Sequence, residues 1–171
     1  MNKKAIGVIL LGLTSVTLAG CQDVEATLFN PNNKNDELDK FDLKKEVVLD
    51  HYKEGKYGVT FKKIKKTDKR NSFASNEINE VFLVDYEFQN YSVNESILLY
   101  EGSDFKFFDS KGNQLSSYPL TQSLKYANPA SIGEISSATI AIGSKEPLDK
   151  LYIVIYNNEL PVGYIKYDIN K

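Results

Sequence analysis

Val81-Phe82-Leu83-Val84-Asp85-Tyr86-Glu87-Phe88-Gln89-Asn90 decides the fold. Phe82, Val84, Tyr86 and Phe88 alternate with Leu83, Asp85, Glu87 and Gln89. A repeat of two places one set on one face, so this stretch predicts a strand whose Phe82, Val84, Tyr86 and Phe88 face the interior. Toward the N-terminus, Val59 and Phe61 mark a strand after the turn Gly55-Lys56-Tyr57-Gly58, and Val47, Val48 and Leu49 an edge strand before it. Toward the C-terminus, Asp104 to Phe108 and Gln114 to Ser117 flank Asp109-Ser110-Lys111-Gly112-Asn113, a hairpin signal with glycine where a positive φ is expected. Ala138, Ile140 and Ile142 alternate again. Lys150 to Tyr156 is rich in β-branched and aromatic residues, and Asn157 to Pro161 turns it into Gly163 to Ile169. No convincing long helical pattern interrupts the series. About seven short antiparallel strands predict an all-β sandwich over residues 46–171.

Three stretches resemble an Ig-like domain of unknown function found in Gram-positive lipoproteins, related to the fold of secreted mycobacterial antigens. They are the strand Val81 to Asn90, the hairpin Ser103 to Asn113, and the turn Ala130-Ser131-Ile132-Gly133-Glu134, whose Gly133-Glu134 match the family while the usual preceding proline is absent. The resemblance covers about residues 55 to 169 and implies an Ig-like antiparallel β-sandwich. It brings no catalytic residues to carry over. The chain has no Trp and a single Cys, so such a core closes by aliphatic and aromatic packing alone.

The N-terminal region carries a different message. Met-Asn-Lys-Lys precedes an uncharged apolar run from Ala5 to Gly20, the layout of a secretory signal over residues 1–20. The run is shorter than the roughly 20 apolar residues that span a bilayer as a helix. Leu18-Ala19-Gly20-Cys21 resembles the lipobox of bacterial lipoproteins. That resemblance implies a diacylglycerol on the Cys21 thiol, cleavage just before it, and attachment to the outer face of the cell membrane. Two acyl chains anchor stably where one holds weakly, since each buried CH2 contributes about 0.8 kcal/mol. With its only thiol acylated, the chain would have no disulfide, no thiolate catalysis and no cysteine-ligated metal. Residues 21–45, with Asn30-Pro31-Asn32-Asn33-Lys34-Asn35-Asp36, read as a flexible tether that lifts the domain into the wall.

The chain has 171 residues and a formal net charge of −2 at pH 7, and the leader takes two lysines with it. Mild acidity and an export signal argue against a nucleic-acid partner. The sole histidine, His51, has no nucleophile motif to serve, and one histidine without free cysteine does not make a zinc site. Asp109-Ser110-Lys111-Gly112-Asn113 lacks the third acidic ligand and closing glutamate of a calcium loop. Glu101, Asp104 and Asp109 are spaced as in an ordinary solvated loop. No glycine-rich phosphate loop is present. No cofactor, no metal and no enzymatic activity are expected.

Two surfaces remain. Lys62, Lys63, Lys65, Lys66, Lys69 and Arg70 form a candidate patch for wall polyanions or anionic headgroups; the alternative is an edge strand guarded by lysines against aggregation. Tyr152 and Tyr156 have the opposite parity to Leu151, Ile153 and Ile155, and with Tyr164 form a candidate binding patch on the C-terminal hairpin. The alternative is that the tether or the 116–133 loop covers them. The expected function is a non-enzymatic, lipid-anchored binding module at the cell surface, with a protein or cell-wall polymer as partner. Another reading is a precursor whose leader segment Leu13 to Gly20, LTSVTLAG, resembles enterococcal peptide pheromones. A further one is an accessory protein of a transporter, conjugation or phage-exclusion system.

Overall fold

The computed structural model describes residues 29–31, 38–51, 54–74, 77–120 and 124–169. The leader and Cys21 lie outside the described residues. The described residues form β1 (Asp39–Phe41), β2 (Glu46–His51), β3 (Gly55–Thr67), β4 (Glu80–Asn90), β5 (Phe105–Phe108), β6 (Gln114–Ser117), β7 (Ile135–Ser144), β8 (Lys150–Asn157) and β9 (Leu160–Asp168). Hydrogen bonding runs in the order β1-β9-β8-β5-β6-β7-β4-β3-β2. Neighbours are antiparallel except β1 and β9, which are parallel.

This continuous sheet folds over on itself into two layers. Strand β6 makes the corner. Its Gln114 and Leu115 pair with Phe108 and Phe107 of β5, while Ser116 and Ser117 pair with Gly143 and Ile142 of β7. The hairpin turn before it has Gly112 at φ 88°, a left-handed conformation that glycine adopts without steric cost. Asp109 locks that turn: one carboxylate oxygen accepts the Lys111 and Asn113 N–H groups, each at 2.8 Å, and the other accepts the Asn113 amide.

The alternation in β4 behaves as read. Phe82, Val84, Tyr86 and Phe88 are buried, while Leu83, Asp85, Glu87 and Gln89 are half-exposed. The buried set meets the opposite layer through aromatic edges. Phe105 of β5 lies 5.1 Å from the Phe61 ring and 5.0 Å from the Tyr86 ring, both T-shaped. Each buried aromatic contributes roughly 1.5–3 kcal/mol from area alone, and edge-to-face pairs add about 0.5–1.5 kcal/mol.

The expected strands correspond to β2 to β9 and leave out β1, because residues 39–41 fall in the stretch read as tether. Its Asp39, Lys40 and Phe41 pair with Gly163, Tyr164 and Ile165. Phe41 crosses the place where Gly163 has no side chain: a Cβ there would sit 2.3 Å from the Phe41 ring. Phe29 is also part of the fold. It is buried against Phe108, Tyr152 and Tyr164, with ring centroids 5.4 Å away in each case. Phe29 and residues 38–41 of the segment 21–45 are therefore packed onto the β8–β9 layer, and Lys44 N–H donates to the Phe61 carbonyl of β3. Isolated apolar residues in a polar stretch carry no period, and only tertiary packing reveals their use.

Candidate functional site

The C-terminal aromatic patch is not an open surface. Tyr152 is 7% exposed, and Tyr156 and Tyr164 are half-buried in the same cluster, with Phe29 and Leu38 packed over them. Parity does turn these side chains away from the main core, where Leu151, Ile153 and Ile155 are buried. The residues that cover them come from the stretch read as tether. Burial accordingly pushes the Tyr152 and Tyr156 hydroxyls up from their ordinary pKa. Lys106 Nζ sits 4.8 Å above the Tyr156 ring.

The basic stretch lies on β3. Strand β2 pairs β3 only as far as Thr60, so the following residues have one side without a partner strand. A bulge between Phe61 and Lys63 sets the adjacent lysines 62 and 63 facing solvent together. Lys62 pairs with Glu87 and Lys66 with Glu80. Arg70 donates to the carbonyls of Thr67, Lys69 and Asn79 at 2.8 to 2.9 Å. Lys63 and Lys65 stand across from Asp85 and Leu83. The lysines thus lie along a strand whose outer side lacks a partner strand beyond Thr60, and Lys62, Lys66 and Arg70 already have partners within the chain.

His51 ends β2, half-buried, with Nδ1 3.6 Å from a Glu54 carboxylate oxygen and its ring edge-on to Tyr57. Asp109 belongs to the hairpin turn, and β5 separates it from Glu101 and Asp104.

A different part of the surface combines exposure with shape. A groove of about 420 Å³ opens beside β7. Its floor includes Tyr86 and Ala138, one wall is residues 98–101, and the other is residues 124–127. Tyr126 is 74% exposed, Tyr100 56% and Leu98 42%. Ile140 has the core parity of Val84, its partner on β4, yet stays half-buried because the groove opens onto it.

Both walls are built from the end of β4. Asn90 is fully buried. Its amide donates to the carbonyls of Val93, Glu95 and Ala130 at 3.0 to 3.1 Å, and its side-chain oxygen accepts the Val93 N–H at 2.8 Å. Ile97 and Ala130 then exchange two backbone hydrogen bonds, which ties the segment leading into one wall to the end of the other. Lys125 carbonyl accepts Thr139 N–H at 2.8 Å, strapping the second wall to β7. Tyr86 hydroxyl donates to the Leu99 carbonyl at 2.8 Å and holds the first wall from below. Burial, with the Asp104 carboxylate nearby, pushes the Tyr86 pKa up to about 12, so this donor keeps its proton well into alkali.

Glu101 and Lys125 are the charged residues that line the groove. Glu101 is half-buried, and burial holds its pKa above the ordinary carboxylate value. Its carboxylate makes no hydrogen bond or ion pair among the described residues. Asp104 is differently placed: its carboxylate accepts the Tyr100 N–H at 2.9 Å and the Ser103 hydroxyl at 2.7 Å. Lys125 also lines the groove, but its ammonium hydrogen-bonds the Ser137 hydroxyl. The sequence pointed to Glu101 only as a loop carboxylate and missed Leu98, Tyr100 and Tyr126. Tyr100-Glu101 next to a hairpin was the available signal, and it has no periodicity.

No family model matches the chain, and no curated protein matches it. Among solved structures, the secreted protein MPT63 from Mycobacterium tuberculosis is similar, with a TM-score of 0.57 at 12% sequence identity. The match covers 77% of this chain and 97% of that one. The likeness establishes the fold: an all-β sandwich of the type expected from the three resembling stretches.

Proposed function

We propose that this protein is a non-enzymatic binding module on the outer face of the cell membrane, anchored by a diacylglycerol on Cys21, with the groove beside β7 as its ligand face. The observation that carries the reading is the exposure of Leu98, Tyr100 and Tyr126 around a half-buried carboxylate. Tyrosine offers a large, stiff contact area with a polar tip, and interfaces are enriched in it. The walls are held by Asn90, Tyr86 and the Ile97–Ala130 pair rather than by the ligand. Such a site loses little ordering entropy on binding. MPT63 is a secreted protein, which fits an extracytoplasmic place for this chain as well.

Docking of Phe29 also bears on the anchor. Residues 22–28 would connect Cys21 to the domain, a reach of no more than about 29 Å when fully extended. The domain would then work close to the membrane.

The test uses the mature chain, residues 21–171, immobilised and presented with cell-surface proteins crosslinked in place. The double variant Tyr100→Ala/Tyr126→Ala should lose capture of the bound partner by at least tenfold with an unchanged melting temperature. Equal capture by the variant would remove the groove from the function. Separately, Cys21→Ser should release the protein to the medium.

A further inference from the structure

We infer that the groove receives a cationic side chain, arginine or lysine, presented between apolar residues on a protein partner. The inference rests on the groove being the ligand face.

The charge arrangement carries it. A carboxylate half-removed from water loses hydration, and here no donor among the described residues replaces it. Other half-buried acids are supplied: Asp104 by Tyr100 N–H and Ser103, Asp109 by the turn N–H groups, Glu80 by Lys66 and Leu148 N–H. Glu101 therefore stands out as a carboxylate whose complement is missing from the described chain. A guanidinium or ammonium would supply that complement in a charge-assisted hydrogen bond.

The walls select what comes with the charge. Tyr100 and Tyr126 are exposed aromatic rings in the lining, and a cation is attracted to such a ring. Leu98 and Ile140 accept the methylene stem of the same side chain and its apolar neighbours. A wall polymer of repeating phosphates fits poorly, because it has no apolar surface to bury against Leu98, Ile140 and the two tyrosines, and the positive charge in the lining, Lys125, already donates to the Ser137 hydroxyl. The volume, about 420 Å³, is room for two or three side chains, so the partner inserts a short segment.

The test is an NMR titration of the mature chain carrying Cys21→Ser, with four small probes: pentylguanidinium, hexanol, hexanoate and glycerol phosphate. Signals of Tyr100, Glu101 and Tyr126 should follow pentylguanidinium with a dissociation constant at least fivefold lower than for hexanol, and hexanoate should be weakest of the three six-carbon-sized probes. In Glu101→Gln the preference for guanidinium over hexanol should fall to within twofold, while hexanol binding stays as it was. Equal binding of guanidinium and hexanol overturns the inference and leaves the groove as an apolar ligand face. A guanidinium preference that survives Glu101→Gln also overturns it, as does stronger binding of glycerol phosphate, which would assign the groove to a wall polyanion. If no probe moves these signals, the inference and the groove reading both fall.

Discussion

Two clusters of tyrosine on this molecule have the same chemistry and opposite fates. On the outer side of the β8–β9 layer, Tyr152, Tyr156 and Tyr164 are roofed by Phe29 and Leu38. Beside β7, Tyr100 and Tyr126 stand in solvent around a carboxylate. Strand parity identifies which face a side chain leaves by, and it says nothing about whether a further segment closes over that face. The roof here is two residues from a stretch with no periodic pattern. The open groove lies between two loops whose course is set far away, at Asn90.

The contrast can be broken most forcefully at Tyr152. Its removal leaves a void under Phe29, so Tyr152→Ala should cost about 3 kcal/mol of stability, read by denaturant unfolding. A loss below about 0.5 kcal/mol would mean the ring is exposed after all.

Asn90 sharpens the other side of the comparison. Asn90→Ala leaves the Val93 N–H buried without its partner and unpins both groove walls. The expected loss is about 2–3 kcal/mol, with the largest increase in amide hydrogen exchange at residues 93–101 and 126–130. Exchange changes confined to the core strands would contradict the role given to this side chain.

A smaller effect is expected at Glu101, with a sign that depends on pH. Its folded pKa is raised, so the folded state holds the proton more tightly than the unfolded chain. That contribution is fully present below the ordinary carboxylate value and is lost as pH rises through the raised folded value. Glu101→Gln escapes the loss. The variant should therefore be more stable than the natural chain near neutral pH, by less than about 1 kcal/mol given partial solvent screening, and equal to it in acid. A destabilised variant at neutral pH would show that the carboxylate has a partner.

Tyr126→Ala should change stability by less than about 0.5 kcal/mol, because little of the ring is buried. A loss comparable to that of Tyr152→Ala would erase the distinction between the two clusters.

What the sequence made legible follows from where period and packing coincide. The alternation Phe82, Val84, Tyr86, Phe88 is visible because one face of β4 meets the opposite layer along its whole length. The hairpin at Gly112 is visible because a left-handed residue needs glycine. Strand β1 was not visible: a three-residue strand paired to the edge of β9 has no room for a repeat. The lysines of β3 were legible as a cluster on a strand, yet the bulge that brings Lys62 and Lys63 to the same side can be seen only in the register with β4. The groove was illegible for a related reason. Leu98, Tyr100 and Tyr126 belong to loops, and what brings them together is a buried asparagine whose hydrogen bonds span residues 90 to 130.

Which aromatic surface is open, and which is roofed, decides where a partner can bind. Nitration with tetranitromethane, mapped by mass spectrometry in the folded protein, reads that directly. Tyr100 and Tyr126 should be modified fastest, and Tyr152 should resist until Phe29→Ala removes its cover. Modification of Tyr152 as fast as Tyr126 in the natural chain would contradict this assignment and return the C-terminal hairpin as the exposed face.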